Sequence, residues 1–367
     1  MLGLESVGLN SRPSITDDGS LAYFVDDQNR LRLYDFGTNE LSFVEDNPST
    51  VWRNAAVSKD GTRLAITTTD NDNQIFVLDG VSGTFTTYTL TNPTTAEGIS
   101  TGDVLFPDIM EWDPAGEFLM YDALSRLDDG VEFWDIGFLK AWNNSSNTFG
   151  DGTILKLANA LPDGVSIGNP TFSKNSPHII AFEEAESDFF GNTTYSLIGA
   201  NIETGESNTI FENSKLNFPN YGVADDRIVF DAVTNEGNDV LAVIPVGDDK
   251  ITAAGSAQGL INGGHWGIYF ADGQRQLDTG VEGPIIADDG LLVYPTIFNH
   301  SIVLEHEIDN LAGSMVQLMD ITGRPVKTIT LGGANRQTIA TGDLPAGTYL
   351  LAVIRDNGTA IQRVIKQ

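Results

Sequence analysis

The sequence predicts an all-β protein built from two modules, a β-propeller over residues 1–287 and a small β-sandwich over residues 288–367. Three observations predict this fold. Short segments with apolar residues at alternate positions are bounded by turns rich in Asp, Asn and Gly, which is typical of strands and hairpins. Groups of these segments recur with a period of roughly 40–50 residues, the size of a four-stranded propeller blade. The balance of acidic and basic residues then changes near residue 288.

The clearest unit of the repeat lies at residues 54–83, NAAVSKDGTRLAITTTDNDNQIFVLDGVSG. A first strand at residues 55–58 runs into a turn that contains Asp60 and Gly61. Glycine supplies the positive φ of such a turn, which other residues adopt only at a steric cost. A second strand with alternating apolar residues follows, and a third spans residues 75–79. One such sheet cannot bury both of its faces, so further copies are expected.

The unit recurs four more times, and a degenerate sixth copy follows the fifth. The copies lie at residues 13–40, 108–136, 169–205 and 217–245, with the degenerate copy at 263–280. We therefore expect six blades, closed into a ring, because closure removes the exposed edges of an open sheet. Residues 5–10 are expected to supply an outer strand to the last blade.

The repeat carries a short motif. Residues 56–65 are AVSKDGTRLA, and from residue 57 onward they follow the pattern apolar-Ser-x-Asp-Gly-x-x-apolar-Ala. Residues 75–83 are IFVLDGVSG. Residues 13–22 and 31–37 follow the same pattern. The motif resembles the WD-like propeller repeat of TolB-type proteins, and the resemblance extends over residues 4–283. It implies a propeller fold, which by itself specifies no function.

The C-terminal module contains at least five short strands in about 75 residues, which is typical of a small immunoglobulin-like β-sandwich. The expected strands are residues 301–305, 315–321, 326–331, 336–340, 348–355 and 360–366. Basic residues gather in this module, at Arg324, Lys327, Arg336, Arg355, Arg363 and Lys366. This change in charge supports a domain boundary near residue 288.

Four segments of this module resemble, in the same order, the C-terminal sorting domain of the bacterial type IX (Por) secretion system. They are VYPT at residues 293–296, VQLMDITGRPV at 316–326, LPAGTYL at 344–350 and the terminal strand at 360–366. The resemblance implies export across the outer membrane of a Bacteroidetes-type bacterium by the type IX machinery, followed by release or surface attachment. The residues that match the sorting motif are Asp320, Gly323, Arg324, Leu344, Pro345, Gly347 and Tyr349.

Charge excludes several classes of partner. The chain has 51 acidic and 20 basic residues and a net charge of -31. Nucleic acids and anionic membrane surfaces require clustered Lys and Arg, so neither is expected to bind. No apolar run is long enough to insert into a membrane. The first residues, MLGLESVGLNSRPS, lack the features of a signal peptide. Because the sorting domain requires one, we expect the signal peptide to be missing from this sequence.

An acidic loop at residues 70–73 is the best candidate for a cofactor site. Its sequence, Asp70-Asn71-Asp72-Asn73, alternates carboxylates with amides, and Ca²⁺ prefers oxygen ligands of this kind. Asp and Asn also favour turns without binding any ion. The sequence therefore predicts a calcium site at Asp70 and Asp72 beside a purely structural alternative, and saline adaptation explains the acidic surface equally well.

Catalytic signatures are missing from the sequence. It contains no nucleophile elbow and no phosphate-binding loop. Glu111 and Asp113 flank Trp112, and paired carboxylates can catalyse glycosidic cleavage, but neighbours in a strand also have structural roles. We expect a secreted or cell-surface module that binds a protein or glycan through the propeller loops, without catalytic residues. The alternatives are a polysaccharide hydrolase or lyase and the C-terminal part of a larger secreted enzyme.

Overall fold

The computed structural model describes the greater part of the chain. The described residues are 7–91, 93–96, 101–188, 190–234, 236–270, 291–294, 297–298, 300–306, 312–319, 324–332, 335–345, 347–355 and 358–366. The chain divides into two compact units, Met1–Thr279 and Gly280–Gln367. The boundary predicted at residue 288 lies outside the described residues. Among those residues, no helix is long and apolar enough to cross a membrane.

The described residues of the first unit form five four-stranded sheets, in each of which consecutive strands pair in chain order. Sheet 1 consists of Ser14–Ile15, Leu21–Val25, Leu31–Asp35 and Glu40–Phe43, and sheet 2 of Trp52–Val57, Arg63–Thr68, Gln74–Asp79 and Thr84–Thr89. Sheet 3 consists of Gly102–Trp112, Phe118–Leu127, Glu132–Lys140 and Ile154–Lys156. Sheet 4 consists of Val165–Phe172, Ile179–Ser187, Thr193–Asn201 and Glu206–Asn213, and sheet 5 of Asn220–Tyr221, Arg227–Val233, Asp239–Pro245 and Gln258–Asn262. Two short pairs join Trp142–Asn143 to Thr148–Phe149 and Thr95–Ala96 to Ala160–Leu161.

The Asp-Gly turns between first and second strands have the predicted conformation. Gly61 has a φ of 75° and Gly19 a φ of 68°. Asp60 Oδ1 accepts hydrogen bonds from the Thr62 amide at 3.0 Å and the Ser58 hydroxyl at 2.6 Å. The Asp side chain therefore supplies the acceptor that the turn needs, and glycine supplies the left-handed backbone.

Successive sheets pack face to face, as blades do. Each of four apolar clusters takes its side chains from two neighbouring sheets: 1 and 2, 2 and 3, 3 and 4, or 4 and 5. Ile75 of sheet 2, for example, shares a cluster with Trp112 and Leu119 of sheet 3. Both faces of an inner sheet are buried in this way, which one four-stranded sheet cannot achieve by itself.

The chain returns from sheet 5 to sheet 1. Tyr269 donates its amide to Asn220 Oδ1 of sheet 5 at 2.8 Å. A Cβ placed on Gly19 of sheet 1 would lie 2.5 Å from the ring of Phe270. Together with the order of the sheets, this arrangement confirms the predicted propeller. The sixth copy at residues 263–280 falls partly outside the described residues, so the number of six blades stays a prediction.

One expectation about the N-terminal segment is wrong. The described residues 8–10 pair with sheet 1: Asn10 donates its amide to the Val25 carbonyl at 2.9 Å, and Asp27 donates its amide to the Gly8 carbonyl at 3.0 Å. The segment enters the propeller beside the second strand of its own blade because that strand is longer than its partner, Ser14–Ile15.

The second unit is a sandwich of two sheets, as predicted. One sheet has the order Leu291–Tyr294, Ser301–His306, Arg336–Ala340. The other has the order Ile297–Phe298, Gly358–Lys366, Gly347–Arg355, Met315–Met319, Pro325–Thr330. Apolar residues from both sheets meet between them, including Ile302 and Ile339 from the first and Leu318, Leu351 and Val364 from the second.

Candidate functional site

The first strands of the five sheets converge on a central channel. A small cavity there is lined by residues of sheets 1, 2, 3 and 5, by Arg12 just before sheet 1, by Lys174 just after the first strand of sheet 4, and by the segment that follows sheet 5. Representative side chains are Arg12, Asn54, Glu111, Lys174, Asn220 and Tyr269. Residues that are far apart in sequence therefore meet here, and three of them are charged.

Glu111 is a buried anion held by cations and hydrogen bonds. Its Oε1 atom lies 2.5 Å from Lys59 Nζ. Its Oε2 atom accepts hydrogen bonds from the Thr171 hydroxyl at 2.7 Å and the Phe172 amide at 3.2 Å. Burial acts to raise the pKa of Glu111, but the charges of Lys59, Lys174 and Arg12 outweigh it and hold that pKa well below its usual range.

The motif around Trp112 has structural roles. Trp112 is fully buried and donates its indole N–H to the Ala56 carbonyl at 3.0 Å, which joins sheets 3 and 2. Asp113 accepts the Glu117 amide at 2.7 Å and the Phe118 amide at 2.8 Å, so it closes the turn after the first strand. Glu111 and Asp113 thus have different hydrogen-bond partners and different structural roles, and they do not act as a pair of carboxylates.

Three carboxylates on second strands bond the backbone of the segment that follows. Asp122 Oδ2 accepts the Asn169 amide at 2.7 Å, and Glu183 Oε2 accepts the Asn217 amide at 2.5 Å. In the same way, Asp231 accepts an amide from the segment after sheet 5. The pairing register of sheet 4 shifts next to Asn169, which leaves its amide without a partner in the strand ladder. The carboxylates supply the missing acceptors and join one blade to the next.

Burial raises the pKa of all three carboxyls. The pKa of Glu183 rises to about 7 because burial outweighs its hydrogen bonds from Asn217 and Asn169. The pKa of Asp122 is also raised, by burial and by the nearby charge of Asp108. Burial raises the pKa of Asp231, which the bond from Trp266 opposes.

An open groove with aromatic walls lies beside Asp231. We call it the aromatic groove; its volume is about 580 Å³, and its lining includes Tyr195, Leu216, Phe218, His265 and Trp266. The rings of Phe218 and Trp266 meet edge to face at a centroid distance of 6.0 Å. Both residues have a positive φ, 45° and 54°. Non-glycine residues held in this conformation are frequent at binding sites.

Polar groups line one side of the aromatic groove. His265 Nδ1 lies 3.1 Å from Asp231 Oδ2, and its Nε2 lies 3.6 Å from Asp239 Oδ2. Lys215 Nζ donates to Asp239 Oδ1 at 2.7 Å. An exposed imidazole, an ammonium group and carboxylates therefore lie next to apolar rings. The repeat pattern does not predict this site. The segment GGHWGIYF fits the pattern only as a degenerate copy, and its richness in aromatic residues is the one local signal of a binding surface.

The predicted calcium loop has internal contacts of its own. Asp70 is exposed, and Asp72 Oδ1 accepts the Gln74 amide at 3.3 Å. Asn73 donates its side-chain amide to the Leu90 carbonyl at 2.8 Å. Among the described residues, no group of three or more His, Asp or Glu is arranged to hold a metal ion. Calcium binding at Asp70 and Asp72 stays a prediction.

The sorting-motif residues fall into two groups. Asp320 and Gly323 lie outside the described residues, and Arg324 is exposed. Leu344 packs against the core of the sandwich, and the Tyr349 hydroxyl donates to the Pro345 carbonyl at 2.8 Å. Gly347 lies between them with a φ of 156°. The packing of Leu344 and the bond from Tyr349 to Pro345 thus anchor this part of the motif to the sandwich.

Comparison with protein families confirms the prediction for the second unit. Residues 292–367 match the family described as the secretion system C-terminal sorting domain. The chain therefore carries a type IX sorting domain, which indicates export to the cell surface or the medium and implies interaction with the secretion machinery. The comparison with curated proteins returns no match.

Several solved structures are similar to the chain at low identity. TolB from Acinetobacter baumannii is 18% identical, with 70% of this chain and 57% of that chain aligned and a TM-score of 0.49. The chain thus spans less than two thirds of the TolB chain. Oligogalacturonate lyase from Vibrio parahaemolyticus is 14% identical, over 73% and 81% of the two chains, with a TM-score of 0.40. The propeller domain of Cps50 (Swd1) from Myceliophteria thermophila is 10% identical, over 99% of both chains, with a TM-score of 0.40.

Proposed function

We propose that the first unit is a binding module that acts outside the cell and recognises a glycan or a protein through loops at one end of the propeller. The observation that supports this proposal is the aromatic groove, in which Tyr195, Phe218 and Trp266 lie beside charged groups. Aromatic faces bind the apolar face of a sugar ring or an apolar side chain. The adjoining imidazole and ammonium groups bind hydroxyls or carbonyls.

The composition of the groove favours a glycan over a protein surface. Half-buried aromatic rings next to His265, Lys215 and Asp239 combine flat apolar area with several hydrogen-bonding groups. A sugar presents the same two kinds of surface within a few ångströms. The Trp266 backbone is bonded to Asp231 before any ligand arrives. Binding of a ligand would therefore cost little conformational entropy at this position, because the backbone is already ordered.

The enzyme alternative requires a carboxyl group that is free to transfer a proton. Asp122 and Glu183 have raised pKa values, which suits a general acid, but both accept backbone amides from the chain segment that enters the next blade. Glu111 has a lowered pKa and is paired with Lys59. These contacts favour structural roles for the three groups, and the binding proposal needs none of them to react.

A screen of the purified full chain against soluble glycans and peptides tests the proposal. For a ligand that binds, we expect Trp266→Ala to raise Kd by about tenfold or more, since a stacked aromatic ring contributes on the order of 1.4 kcal/mol. Phe85→Ala is the matched control, because Phe85 is a 67% exposed ring on sheet 2, away from the groove. Equal binding by Trp266→Ala would refute the groove, and turnover of the ligand would refute a non-enzymatic role.

A further inference from the structure

The channel cavity concentrates positive charge in a chain that has little of it. The whole sequence contains 20 basic residues against 51 acidic ones. Three of those basic residues, Arg12, Lys59 and Lys174, line one small cavity. Two carboxylates, Glu111 and Asp17, share the lining. The cavity volume is about 30 Å³, which leaves room for one small group.

The carboxylates near Arg12 are hydrogen-bonded to other groups, and Glu111 is the first example. Its two oxygens already receive bonds from Lys59, the Thr171 hydroxyl and the Phe172 amide. The other carboxylates that act electrostatically on Arg12 are Asp122 and Asp231. Asp122 accepts the amides of Ile109 and Asn169, and Asp231 accepts the amide of Trp266 and contacts His265. These acceptors are engaged with neighbours other than Arg12.

Arg12 has a donor without an acceptor. Its side chain is buried, with 9% of the residue exposed, and its Nη1 atom has no hydrogen-bond partner. Burial removes the water molecules that would hydrogen-bond a charged N–H group. This desolvation costs free energy unless another acceptor takes their place. Arg12 is also one of the residues that line the cavity, so the unpartnered donor and the cavity occur at the same place in the fold.

We propose that the channel cavity is a binding site for a carboxylate group, with Arg12 as its hydrogen-bond donor and Lys59 and Lys174 supplying positive charge. A guanidinium group is planar and presents parallel N–H donors that match the two oxygens of a carboxylate. The small volume admits the carboxylate group itself and leaves any larger part of a ligand at the channel mouth. The site is separate from the aromatic groove and does not depend on the function proposed for it.

The first experiment detects binding directly on the full chain. ¹³C-labelled formate is the probe, because it is the smallest carboxylate, and its NMR line width is recorded at constant ionic strength. We expect saturable broadening by the wild-type chain and loss of that broadening in Arg12→Met. Arg126→Met is the matched control: it removes one exposed guanidinium group, which is paired with Glu132 on the surface of sheet 3, and should leave the broadening unchanged. Equal broadening by wild type and Arg12→Met overturns the proposal.

The second experiment covers the case in which Arg12→Met does not fold. The melting temperature of the wild-type chain and of Lys174→Met is measured while acetate replaces chloride at constant sodium concentration. A carboxylate that binds only the folded state must raise the melting temperature of the wild type in a saturable way. We expect that rise to be reduced in Lys174→Met. A wild-type chain that is indifferent to acetate overturns the proposal.

The size of the probe distinguishes two sources of the carboxylate, a small free ion and the carboxylate group of a larger ligand. Glucuronate and N-acetylglutamate carry the group on a larger body than acetate does. A response to acetate alone indicates a resident small ion, whereas an equal response to the larger acids indicates a ligand that inserts its carboxylate from the mouth. Either pattern supports the site, provided that it is lost in Arg12→Met.

Discussion

Asp231 in sheet 5 accepts the backbone amide of Trp266 at 2.8 Å, and its second oxygen lies 3.1 Å from His265. One buried carboxylate thus joins the last described sheet to the segment that returns toward sheet 1, and it orients two residues of the aromatic groove. The contacts of Asp122 and Glu183 repeat this relationship between earlier blades. The same device therefore stabilises the propeller and shapes its candidate binding site.

The carboxylate bonds between blades predict a cost in stability. Asp122→Ala leaves the buried amides of Ile109 and Asn169 without acceptors, so we expect the free energy of unfolding to fall by about 2–4 kcal/mol. Urea denaturation of the full chain measures this. Asp103→Ala in the first strand of the same sheet is the control, since Asp103 is exposed, and should change stability by less than about 0.5 kcal/mol. Equal effects of the two substitutions would contradict the structural role of Asp122.

Glu183 predicts a dependence of stability on pH. Its pKa is about 7 in the folded state, against an ordinary value of 4.5. Folding therefore binds a proton between these values, and the free energy of unfolding falls as pH rises through this window. We expect a loss of roughly 2–3 kcal/mol between pH 4.5 and 7 from this group, at about 1.4 kcal/mol for each unit of pKa shift.

Glu183→Gln removes the titrating group and tests this explanation. We expect the variant to lose less stability than the wild type between pH 4.5 and 7.5 in urea denaturation. Glu186→Gln, an exposed position on the same strand, should follow the wild-type pH curve. If the pH curves of Glu183→Gln and the wild type coincide, Glu183 is not the titrating group.

The LPAGTY turn predicts a local effect in the sandwich. Tyr349→Phe removes the bond from the hydroxyl to the Pro345 carbonyl, which contributes about 1 kcal/mol. In hydrogen exchange of the full chain, we expect the amides of residues 341–355 to exchange about fivefold faster. Tyr34→Phe in the propeller, which loses a 3.2 Å bond to Asn39, should leave that segment unchanged. Unchanged exchange in Tyr349→Phe would show that the hydroxyl does not stabilise the turn.

The sorting domain predicts the fate of a truncated chain. Deletion of residues 301–367 in the native host removes most of the matched domain. We expect the remaining propeller to accumulate in the periplasm, detected by cell fractionation, while the full chain reaches the surface or the medium. Normal export of the truncated chain would refute the sorting role.

The calcium loop predicts a cation-dependent stability. If Asp70 and Asp72 bind Ca²⁺, adding Ca²⁺ to chelator-treated full chain raises the melting temperature by about 2–6 °C. The double substitution Asp70→Asn and Asp72→Asn should abolish this rise. Asp128→Asn with Asp129→Asn, in another acidic loop, should retain it. A wild-type chain with no response to Ca²⁺ would exclude the site.

Local patterns in the sequence determined the strands, the Asp-Gly turns and the sandwich with its LPAGTY segment. Each depends on interactions within a few residues: Gly61 needs only its own left-handed turn, and Tyr349 bonds a carbonyl four residues away. The repeat period was also visible, because each blade must bury its faces against neighbours of the same kind.

Only the tertiary structure decided which side chains meet. Arg12, Glu111 and Lys174 come together because ring closure brings the first strands of separate blades to one axis. Asp231 reaches Trp266 because the chain after sheet 5 turns back toward sheet 1. Such contacts depend on strand register, bulges and the packing of whole sheets, and no pattern over neighbouring residues carries that information. The sequence therefore determined the blades and the destination of the protein, and the packing of the blades decided where its candidate sites lie.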